Sequence, residues 1–495
     1  MFEAYTGTAI RAAERPLIDA GQGAALMLRA AHGLSLAIVR RLRDGRASPG
    51  RRGGRVYGSR VALLVGSGNN GGDALFAGAQ LCRRGVRTTA LLTSERTHAE
   101  ALQAFLAAGG RVVRWPEEAR AVAEARSAQI VVDGILGTGA RGGLHGSQAR
   151  LVEALQGHPG VVAADLPSGI DADTGTADGP VLRAAETVTF GGLKSGLLLP
   201  PAEEYAGALS LVDLGIDLPE PALWRLTAQD LADAWPRPSA IDHKYSRGVL
   251  GVIAGSAHYP GAAVLAVKGA LAAGVGMVRF LGPTLALPAN FPPEAVAGHS
   301  ETSGNRVQAW LIGPGIANDA AQEARCREAL ASGLPTVADA GALALLPERM
   351  GPQVVLTPHA GELATLLSGR GHPTERAEVE REPLFYARRA SELTGATVLL
   401  KGSTTVIVSP GGVTFSQTEG TPWLATAGSG DTLAGILGAL LAGGMKPALA
   451  AAMAASVHGR AGVLASGGFP GGPIRASEIA QAVPQVLREL FAGSA

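Results

Sequence analysis

The sequence predicts an α/β protein built from two domains. Short apolar strands lead again and again into glycine-rich loops and then into apolar helices, which is the pattern of parallel sheets covered by helices. The chain has 495 residues and is too long for one hydrophobic core. A segment rich in proline and tryptophan, 218–238, separates two such series. We therefore expect two three-layer αβα domains, at residues 1–220 and 221–495.

Composition and charge narrow the class of protein. Apolar residues make up 46% and charged residues 17%, which is typical of a well-buried globular protein. A formal net charge of +1 gives no electrostatic signal for nucleic acid or an anionic membrane. We interpret the Arg- and Gly-rich stretch 43–60 as a solvated loop rather than a nucleic-acid patch. We expect neither partner.

The cysteines and the N-terminus indicate the compartment. Cys82 and Cys326 are far apart and lack the spacing of a metal site, which argues against a disulfide framework or a zinc centre. The segment 1–11 has no apolar core of a signal peptide, and no uninterrupted apolar run is long enough to span a membrane. We therefore expect a cytoplasmic protein.

The first domain has a glycine-rich loop between a strand and a helix. Residues 12–42 are predicted to be helical, and the apolar strand 61–65 follows after a loop. Gly66, Gly68 and Gly71 then match the dinucleotide fingerprint, for which a structural turn is the alternative. The inserted amides and the carboxylate of 69–73 are able to ligate a cation or to hold ribose and phosphate.

Two later strands of this domain end in aspartate. The strand 130–133 ends at Asp133, and the strand 161–165 ends at Asp165. The carboxyl ends of parallel strands meet at one edge of the sheet, where ligands bind. The alternative is that each aspartate only caps the turn after it.

The second half repeats the alternation of strands and helices. Its predicted strands share a following loop rich in Gly, Pro or Thr, and they are 249–254, 309–312, 337–339, 354–356 and 398–400. A hairpin is predicted through Gly411 and Gly412. Lys401 ends the last of these strands before small residues, which favours contact with a nucleotide phosphate over a solvated lysine. His359 has either a ligand or a structural role.

The motif Gly428-Ser429-Gly430-Asp431 opens an apolar helix, predicted at 432–441. A helix start presents unpaired N–H groups and suits an anion such as phosphate. A carboxylate at the same place repels an anion. Asp431 is therefore expected to take a proton from a hydroxyl while the glycine amides hold the phosphoryl group that the hydroxyl attacks.

These motifs resemble known families. The second half resembles the ribokinase-like superfamily through residues 428–431. More narrowly it resembles the ADP/ATP-dependent NAD(P)H-hydrate dehydratases through Tyr259-Pro260-Gly261-Ala262, Gly313-Pro314-Gly315, Thr357-Pro358-His359-Ala360-Gly361-Glu362 and Lys401-Gly402-Ser403-Thr404-Thr405. The first half resembles the NAD(P)H-hydrate epimerases through Asn69-Asn70-Gly71-Gly72-Asp73, the segment 133–143 and Asp165-Leu166-Pro167-Ser168-Gly169. The order of the halves is that of the bifunctional repair enzymes. The resemblance implies a Rossmann-like N-terminal and a ribokinase-like C-terminal domain.

The resemblance also implies the site residues. Those that bind the epimerase substrate would be Asn69, Asn70, Gly71, Gly72, Asp73, Gly137, Thr138, Gly139, Ala140, Arg141, Gly142, Gly143 and Asp165. A potassium ion would be held by Asn70, Asp133 and Ser168. In the second domain, the hydrate would contact Ala262, Gly315, His359 and Asp431. The nucleotide would contact Lys401, Gly402, Ser403, Thr404, Thr405 and Gly430. Asp431 and Asp165 are the expected catalytic groups.

The implied activity is repair of a hydrated nicotinamide cofactor. One domain would interconvert the R and S epimers of NAD(P)H-hydrate, and the other would dehydrate the S epimer with ADP or ATP and Mg²⁺. We also expect a homo-oligomer. Two alternatives stay open: a ribokinase-type small-molecule kinase with an accessory N-terminal domain, and a non-enzymatic scaffold. The chain departs from the family pattern at Ala74 and at Tyr245, where the family has glycine.

Overall fold

The computed structural model describes residues 1–45, 54–114, 117–139, 142–283, 288–298, 302–317 and 319–493. The chain forms two compact units. The N-terminal unit is Glu3–Ala222, and the C-terminal unit is Leu223–Ala495 together with Met1–Phe2. Both units combine helices with a largely parallel sheet, which confirms the predicted α/β class.

The N-terminal half contributes nine strands and seven helices within its described residues. The strands are β1 (Phe2–Tyr5), β2 (Arg60–Val65), β3 (Arg87–Leu92), β4 (Arg111–Arg114), β5 (Ile130–Gly134), β6 (Val161–Ala164), β7 (Glu186–Phe190), β8 (Leu193–Lys194) and β9 (Ala208–Val212). The helices are α1 (Gly7–Asp19), α2 (Gly23–Arg43), α3 (Asn69–Arg83), α4 (Ala99–Ala107), α5 (Glu118–Ser127), α6 (Gly146–Ala154) and α7 (Glu203–Ala206). The single helix predicted over 12–42 is two helices, because Gly21 between them has φ +81°.

The sheet of the N-terminal unit is Rossmann-like. Its strand order is β4-β3-β2-β5-β6-β7-β9, and each neighbouring pair is parallel. This is the order 3-2-1-4-5-6 of that fold with one strand added. Leu63 and Leu64 alternate into separate cores on the two faces, which makes three layers. The strand order reverses between β2 and β5, so the loops after these strands border the crevice of a topological switch point.

The C-terminal unit contains the remaining strands and helices of the described chain. The strands are β10 (Leu223–Arg225), β11 (Val249–Ile253), β12 (Met277–Phe280), β13 (Val296–Ala297), β14 (Ala309–Ile312), β15 (Thr336–Ala338), β16 (Val354–Leu356), β17 (Thr397–Leu400), β18 (Thr405–Val408) and β19 (Thr414–Gln417). The helices are α8 (Ala228–Ala234), α9 (Pro260–Ala272), α10 (Ala320–Ala331), α11 (Ala360–Gly369), α12 (Arg376–Arg381), α13 (Pro383–Thr394), α14 (Ser429–Ala442), α15 (Pro447–Ala465) and α16 (Ala476–Ala492).

The sheet of the C-terminal unit has a second switch point. Its order is β13-β12-β11-β14-β15-β16-β17-β18-β19-β10. The pairs from β13 to β17 are parallel, whereas β18 runs antiparallel to β17 and β19 in the predicted hairpin. The order reverses between β11 and β14. The loops after β14 to β17 therefore lie along one edge of the sheet beside this reversal.

Two glycines bring helices α9 and α14 close together. A Cβ atom added to Gly435 would lie 2.1 Å from the Ala266 carbonyl oxygen, and one added to Gly269 would lie 2.4 Å from that of Thr432. Only glycine fits at such an approach. This crossing fixes the position of α14, the helix whose first turn contains Asp431.

One described helix, α15, has the length and composition to cross a membrane. It has 19 residues and a mean hydropathy of 1.3. However, 67% of the apolar window is buried inside the protein, and Met453 and Val457 belong to the core of the C-terminal unit. This burial is what a core helix shows.

Candidate active sites

A cavity of about 960 Å³ lies at the switch point of the N-terminal sheet. Six of the predicted residues line it together with Asp165, and these are Asn69, Asn70, Asp73, Gly137, Thr138 and Gly139. Gly71 and Gly72 are not among its described lining residues, because a Cβ on Gly71 would meet the Gly66 backbone and one on Gly72 would meet His98. Gly142 and Gly143 do not line it either. Ala140 and Arg141 lie outside the described residues.

Asp165 is held as a carboxylate in this cavity. Its Oδ1 accepts hydrogen bonds from Lys194 Nζ and, at 3.3 Å, from the Phe190 amide, and its Oδ2 accepts from the hydroxyl of Thr138. Burial favours the neutral acid, but the Lys194 ammonium and these hydrogen bonds lower the pKa of Asp165 below its ordinary value. Its backbone has φ +68°, a strained conformation for a residue other than glycine. Asp165 is thus a group in a site and not a turn cap.

Lys194 is the residue of this site that sequence reasoning missed. It ends β8 and is 2% exposed, and its Nζ donates to Asp165, to Thr189 Oγ1 at 3.1 Å and to the Phe190 carbonyl at 2.7 Å. The one available signal was a lone lysine in the apolar run 190–199, since a buried lysine needs a partner. Glu14 on α1 also lines the cavity and carried no signal.

Asp73 is a second buried carboxyl group of the cavity. Its Oδ1 is inaccessible to solvent and has no hydrogen-bond partner among the described residues. Burial, and then the charges of Asp165 and Glu14, raise the pKa of Asp73 well above its ordinary value. The cavity therefore brings together two carboxyl groups whose pKa values are shifted in opposite directions, which is the arrangement of an acid–base pair.

The residues implied for potassium form one cluster. Asp133 accepts from Ser168 Oγ at 2.5 Å and from the Ser168 amide at 2.8 Å. Asn70 Nδ2 donates to the Leu136 carbonyl at 2.7 Å, and the Leu136 amide donates to Ser168 Oγ at 2.9 Å. Asn70 Oδ1 is buried and has no hydrogen-bond partner within the part of the chain that the structure describes, and burial raises the pKa of Asp133. An orphaned amide oxygen beside a buried carboxyl group fits a hard monovalent cation.

The predicted residues of the C-terminal unit meet at the carboxyl ends of its parallel strands. Lys401 follows β17 and forms a parallel bridge with His359, which follows β16. The Lys401 amide donates to the Pro358 carbonyl at 2.9 Å. Gly315, after β14, approaches Ala262 so closely that a Cβ on the glycine would lie 2.6 Å from the Cβ of Ala262.

Lys401 is an ion-paired lysine and not a solvated one. Its Nζ lies 2.9 Å from Asp339 Oδ1 and 3.8 Å from Glu362 Oε2. Burial lowers the pKa of Lys401, but the charges of Asp339 and Glu362 outweigh burial and raise it, so the ammonium is retained. Sequence reasoning gave no role to Asp339, although it too directly follows a strand, β15.

Asp431 lies in the first turn of α14, beside Lys401. A Cβ on Gly430 would lie 3.3 Å from Lys401 Nζ, and a Cβ on Gly428 would lie 3.7 Å from Asp431 Oδ2. Burial and the charge of Asp339 raise the pKa of Asp431 to about 7, while Lys401 opposes the rise. A carboxyl group with this pKa exchanges a proton readily at neutral pH.

The start of α14 is open to an anion. Its N-cap residue is Gly428, with φ +88° and no side chain to cap the helix. Ser429 and Thr432 N–H groups bond to the Thr426 and Gly428 carbonyls at 3.3 and 3.4 Å. No such bond is recorded for the N–H groups of Gly430 and Asp431 in the described part of the chain. These donors are available to phosphate oxygens.

His359 has a structural role that leaves one ring nitrogen available. Its Nδ1 accepts from the amides of Gly361 and Glu362 at 3.1 and 3.2 Å, so it caps α11. Its Nε2 lies 3.6 Å from Glu362 Oε2, and the side chain is 57% exposed. His359 and Glu362 also border a cavity of about 790 Å³ along α11. A structural and a ligand-binding role are compatible.

The predicted nucleotide loop connects β17 to β18. Gly402 and Ser403 are exposed, and Thr404 and Thr405 lead into the hairpin. Thr404 Oγ1 contacts Thr418 Oγ1 at 3.4 Å. The described residues contain no group of three or more His, Cys, Asp or Glu side chains placed to hold a metal ion. A divalent cation fits this site as a companion of nucleotide phosphates, which supply most of its ligands.

Both halves of the chain match protein families. Residues 250–482 match the family described as NAD(P)H-hydrate dehydratase. Residues 23–196 match the family described as YjeF-related protein N-terminus. Among solved structures, the ADP/ATP-dependent NAD(P)H-hydrate dehydratase from Bacillus subtilis, co-crystallized with ATP/Mg²⁺, is 29% identical. That comparison covers 54% of this chain and 98% of the other, with a TM-score of 0.49.

Full-length relatives share both halves. The bifunctional NAD(P)H-hydrate repair enzyme of Mycobacterium leprae is 43% identical over 474 residues, covering 93% of this chain and 94% of that protein. The enzyme of the same name from Escherichia coli is 33% identical, covering 81% of this chain and 79% of that protein. The chain therefore belongs to the family of bifunctional NAD(P)H-hydrate repair enzymes.

Proposed function

We propose that this chain restores hydrated nicotinamide cofactors in two steps, one in each unit. The N-terminal unit interconverts the R and S epimers of NAD(P)H-hydrate. The C-terminal unit dehydrates the S epimer to NAD(P)H with ADP or ATP. The observation that carries the proposal is the first turn of α14, where Asp431 and two open amides stand beside Lys401.

Dehydration needs a better leaving group than hydroxide. We propose that Asp431 takes the proton of the ring hydroxyl as its oxygen attacks the terminal phosphoryl group of the nucleotide. The oxygen–phosphorus bond to the nucleotide breaks, which leaves AMP from ADP or ADP from ATP. The ring nitrogen then expels the new phosphate to give an iminium ion, and loss of a proton from the neighbouring ring carbon restores the dihydropyridine. The Gly430 and Asp431 amides and Lys401 stabilise the transferring charge.

The other predicted residues bind the two substrates. Gly315 after β14 and Ala262 on α9 are close neighbours, and His359 follows β16 at the same edge of the sheet. We propose that these three residues contact the hydrate. Lys401, Gly402, Ser403, Thr404, Thr405 and Gly430 would hold the nucleotide. Mg²⁺ would enter with the phosphates and would be held by them together with Asp339 and Glu362, and it would neutralise charge at this acidic edge.

Epimerisation needs a base and an acid on one ring. The hydroxyl carbon is bonded to the ring nitrogen, so net transfer of the hydroxyl proton to the nitrogen, as the carbon–nitrogen bond breaks, opens the ring to an aldehyde. Closure on the other face of the carbonyl gives the other epimer. We propose Asp165 as the base, because Lys194 keeps it ionised. Substrate would be held by the predicted residues around it.

Potassium has a structural role in this proposal. Asn70 Oδ1, Asp133 and Ser168 would hold the ion under the loop that carries Gly137 and Thr138. Asp133 has no cationic partner among the described residues, and the ion would supply this positive charge. The loop would then stay in place beside Asp165.

One assay tests the proposed function against its alternative. The full chain is incubated with hydrated NADH and ADP or ATP, and the absorbance of reduced nicotinamide is followed. We expect it to return, with one phosphate released per NADH. A ribokinase-type kinase would instead leave a stable phosphorylated product and no NADH. That result, or no reaction at all, would overturn the proposal.

A further inference from the structure

A buried histidine contacts the start of helix α14. His458 lies on α15, and its Nε2 is 3.0 Å from the carbonyl oxygen of Ser429 and 3.1 Å from Ser429 Oγ. A carbonyl oxygen only accepts a hydrogen bond, so Nε2 must carry the proton. Ser429 is the first residue of α14 and directly precedes Gly430 and Asp431.

The imidazole of His458 donates a hydrogen bond but carries no charge. Burial lowers the pKa of His458 to about 4, against the opposing effect of the Ser429 bond and with a further lowering by Lys401. The neutral ring therefore does not compete with Lys401 for an anion. The ring also does not change its protonation state near neutral pH, so its contribution is geometric.

The bond to Ser429 sets the orientation of the next amide. In a trans peptide the carbonyl of Ser429 and the N–H of Gly430 point in opposite directions. Holding the carbonyl toward His458 therefore turns the Gly430 N–H away from α15. Lys401 Nζ lies on the open side of Gly430, 3.3 Å from where a Cβ would stand. Gly428 has no side chain that could cap the helix. The His458 side chain instead holds this turn through its hydrogen bond to the Ser429 carbonyl.

We propose that His458 is a positioning residue for dehydration, which holds the first turn of α14 so that the Gly430 amide and Asp431 stay aligned for phosphoryl transfer. The inference rests on the proposed function and extends it to a residue outside the substrate contacts. A displacement of about 1 Å at such a site costs on the order of 10²-fold in rate. The cost falls mainly on the chemical step, because five of the six residues proposed to hold the nucleotide belong to the segment 401–405 after β17, which stays intact.

The test compares variants of the full chain. His458→Leu removes the donor and keeps the bulk, whereas His458→Gln keeps an N–H at a similar reach. We expect the leucine variant to lose about 10- to 100-fold in kcat for dehydration with its KM for ADP nearly unchanged. The glutamine variant should recover most of kcat. His372→Leu, at a half-exposed histidine on the loop after α11, is the matched control.

Epimerase activity of the same samples reports on the rest of the chain. A leucine variant that keeps kcat within twofold overturns the proposal. So does a kcat loss that is equal in the leucine and glutamine variants, because that is the result of a purely structural role. If the leucine variant is insoluble, His458→Asn takes its place in the comparison with His458→Gln. The asparagine side chain is one methylene shorter than the glutamine side chain. A wild-type chain without dehydratase activity refutes the proposed function instead.

Discussion

Asp431 and Lys401 are adjacent groups whose charges oppose each other. The carboxyl group needs to lose its proton before it can act as a base, and burial together with Asp339 holds its pKa at about 7. The lysine stays protonated because of its pairing with Asp339 and Glu362. Each group therefore has the charge that phosphoryl transfer to a hydroxyl requires.

The pH dependence of dehydration follows from Asp431. We expect kcat/KM to fall about tenfold per pH unit below about pH 7, because the fraction of ionised Asp431 falls in that proportion. Initial rates on the S epimer at saturating ADP would measure the profile. A rate that stays level down to pH 5 would show that another group is the base.

Lys401 gives a linked prediction. Lys401→Met removes the charge that lowers the pKa of Asp431, so the acidic limb of the profile should move to higher pH. The KM for ADP should rise as well, because a phosphate contact is lost. Lys446→Met, at an exposed lysine before α15, is the control and should leave both quantities unchanged. An unmoved acidic limb would contradict the proposed proximity of the two groups.

The sequence was sufficient to identify the candidate catalytic residues, but it did not identify the residues that form ion pairs with them. Lys401 and Asp165 are singled out because they follow strands, and Asp431 because it lies at a helix start after a glycine-rich turn. Lys194 and Asp339 are their partners, and each is distant in sequence from the group it pairs with. Parallel strand order decides which strand ends are neighbours, and a single sequence does not state that order.

At the scale of elements, helix α14 is the part on which the C-terminal site depends. Its contact with α9 is made through glycine, and its start is free of a side-chain cap. Apolar runs predicted part of the strands, and strand 309–312 has the bounds of β14. The strands β1, β3, β4, β7, β10, β12 and β13 were not predicted. The edge strand β9 and the two-residue strand β8 were missed, because exposure in the first and brevity in the second remove the apolar signal.

The α9–α14 contact yields a stability prediction. Gly435→Ala places a Cβ 2.1 Å from the Ala266 carbonyl and should lower the free energy of unfolding by about 1–3 kcal/mol through overpacking. Gly369→Ala is the matched control, because a Cβ at this last residue of α11 meets nothing within 4 Å. Denaturant unfolding of both variants measures the difference. Equal stability would mean that the two helices do not approach as closely as described.

The two departures from the family pattern are accommodated locally. Ala74 is fully buried on α3, and its Cβ occupies space left by Gly134, where an added Cβ would lie 2.8 Å away. Tyr245 is 51% exposed, in the turn before β11. Neither replacement changes a residue proposed to touch substrate.

At the scale of the whole molecule, two units each carry a separate set of polar groups at a sheet switch point. The N-terminal set surrounds Asp165, and the C-terminal set surrounds Asp431. Such a division predicts that either activity can be lost alone. The oligomeric state and the cellular location stay predictions from the sequence.

The potassium proposal belongs to this scale as well, because only one unit has the cluster. Replacing K⁺ by a large organic cation should slow epimerisation and leave dehydration of the pure S epimer unchanged. Asp133 is buried without a cationic partner among the described residues, so loss of the ion should also lower the stability of the N-terminal unit. Equal slowing of both reactions would contradict a site confined to that unit.

The most direct measurement uses the separated epimers with two variants of the full chain. Asp431→Asn should form NADH from either epimer about 10²- to 10⁴-fold more slowly, yet it should still equilibrate R and S. Asp165→Ala should convert the S epimer at the normal rate and the R epimer only at the rate of spontaneous epimerisation. Near-normal NADH formation by Asp431→Asn, or rapid equilibration of the epimers by Asp165→Ala, would contradict the assignment of one reaction to each unit.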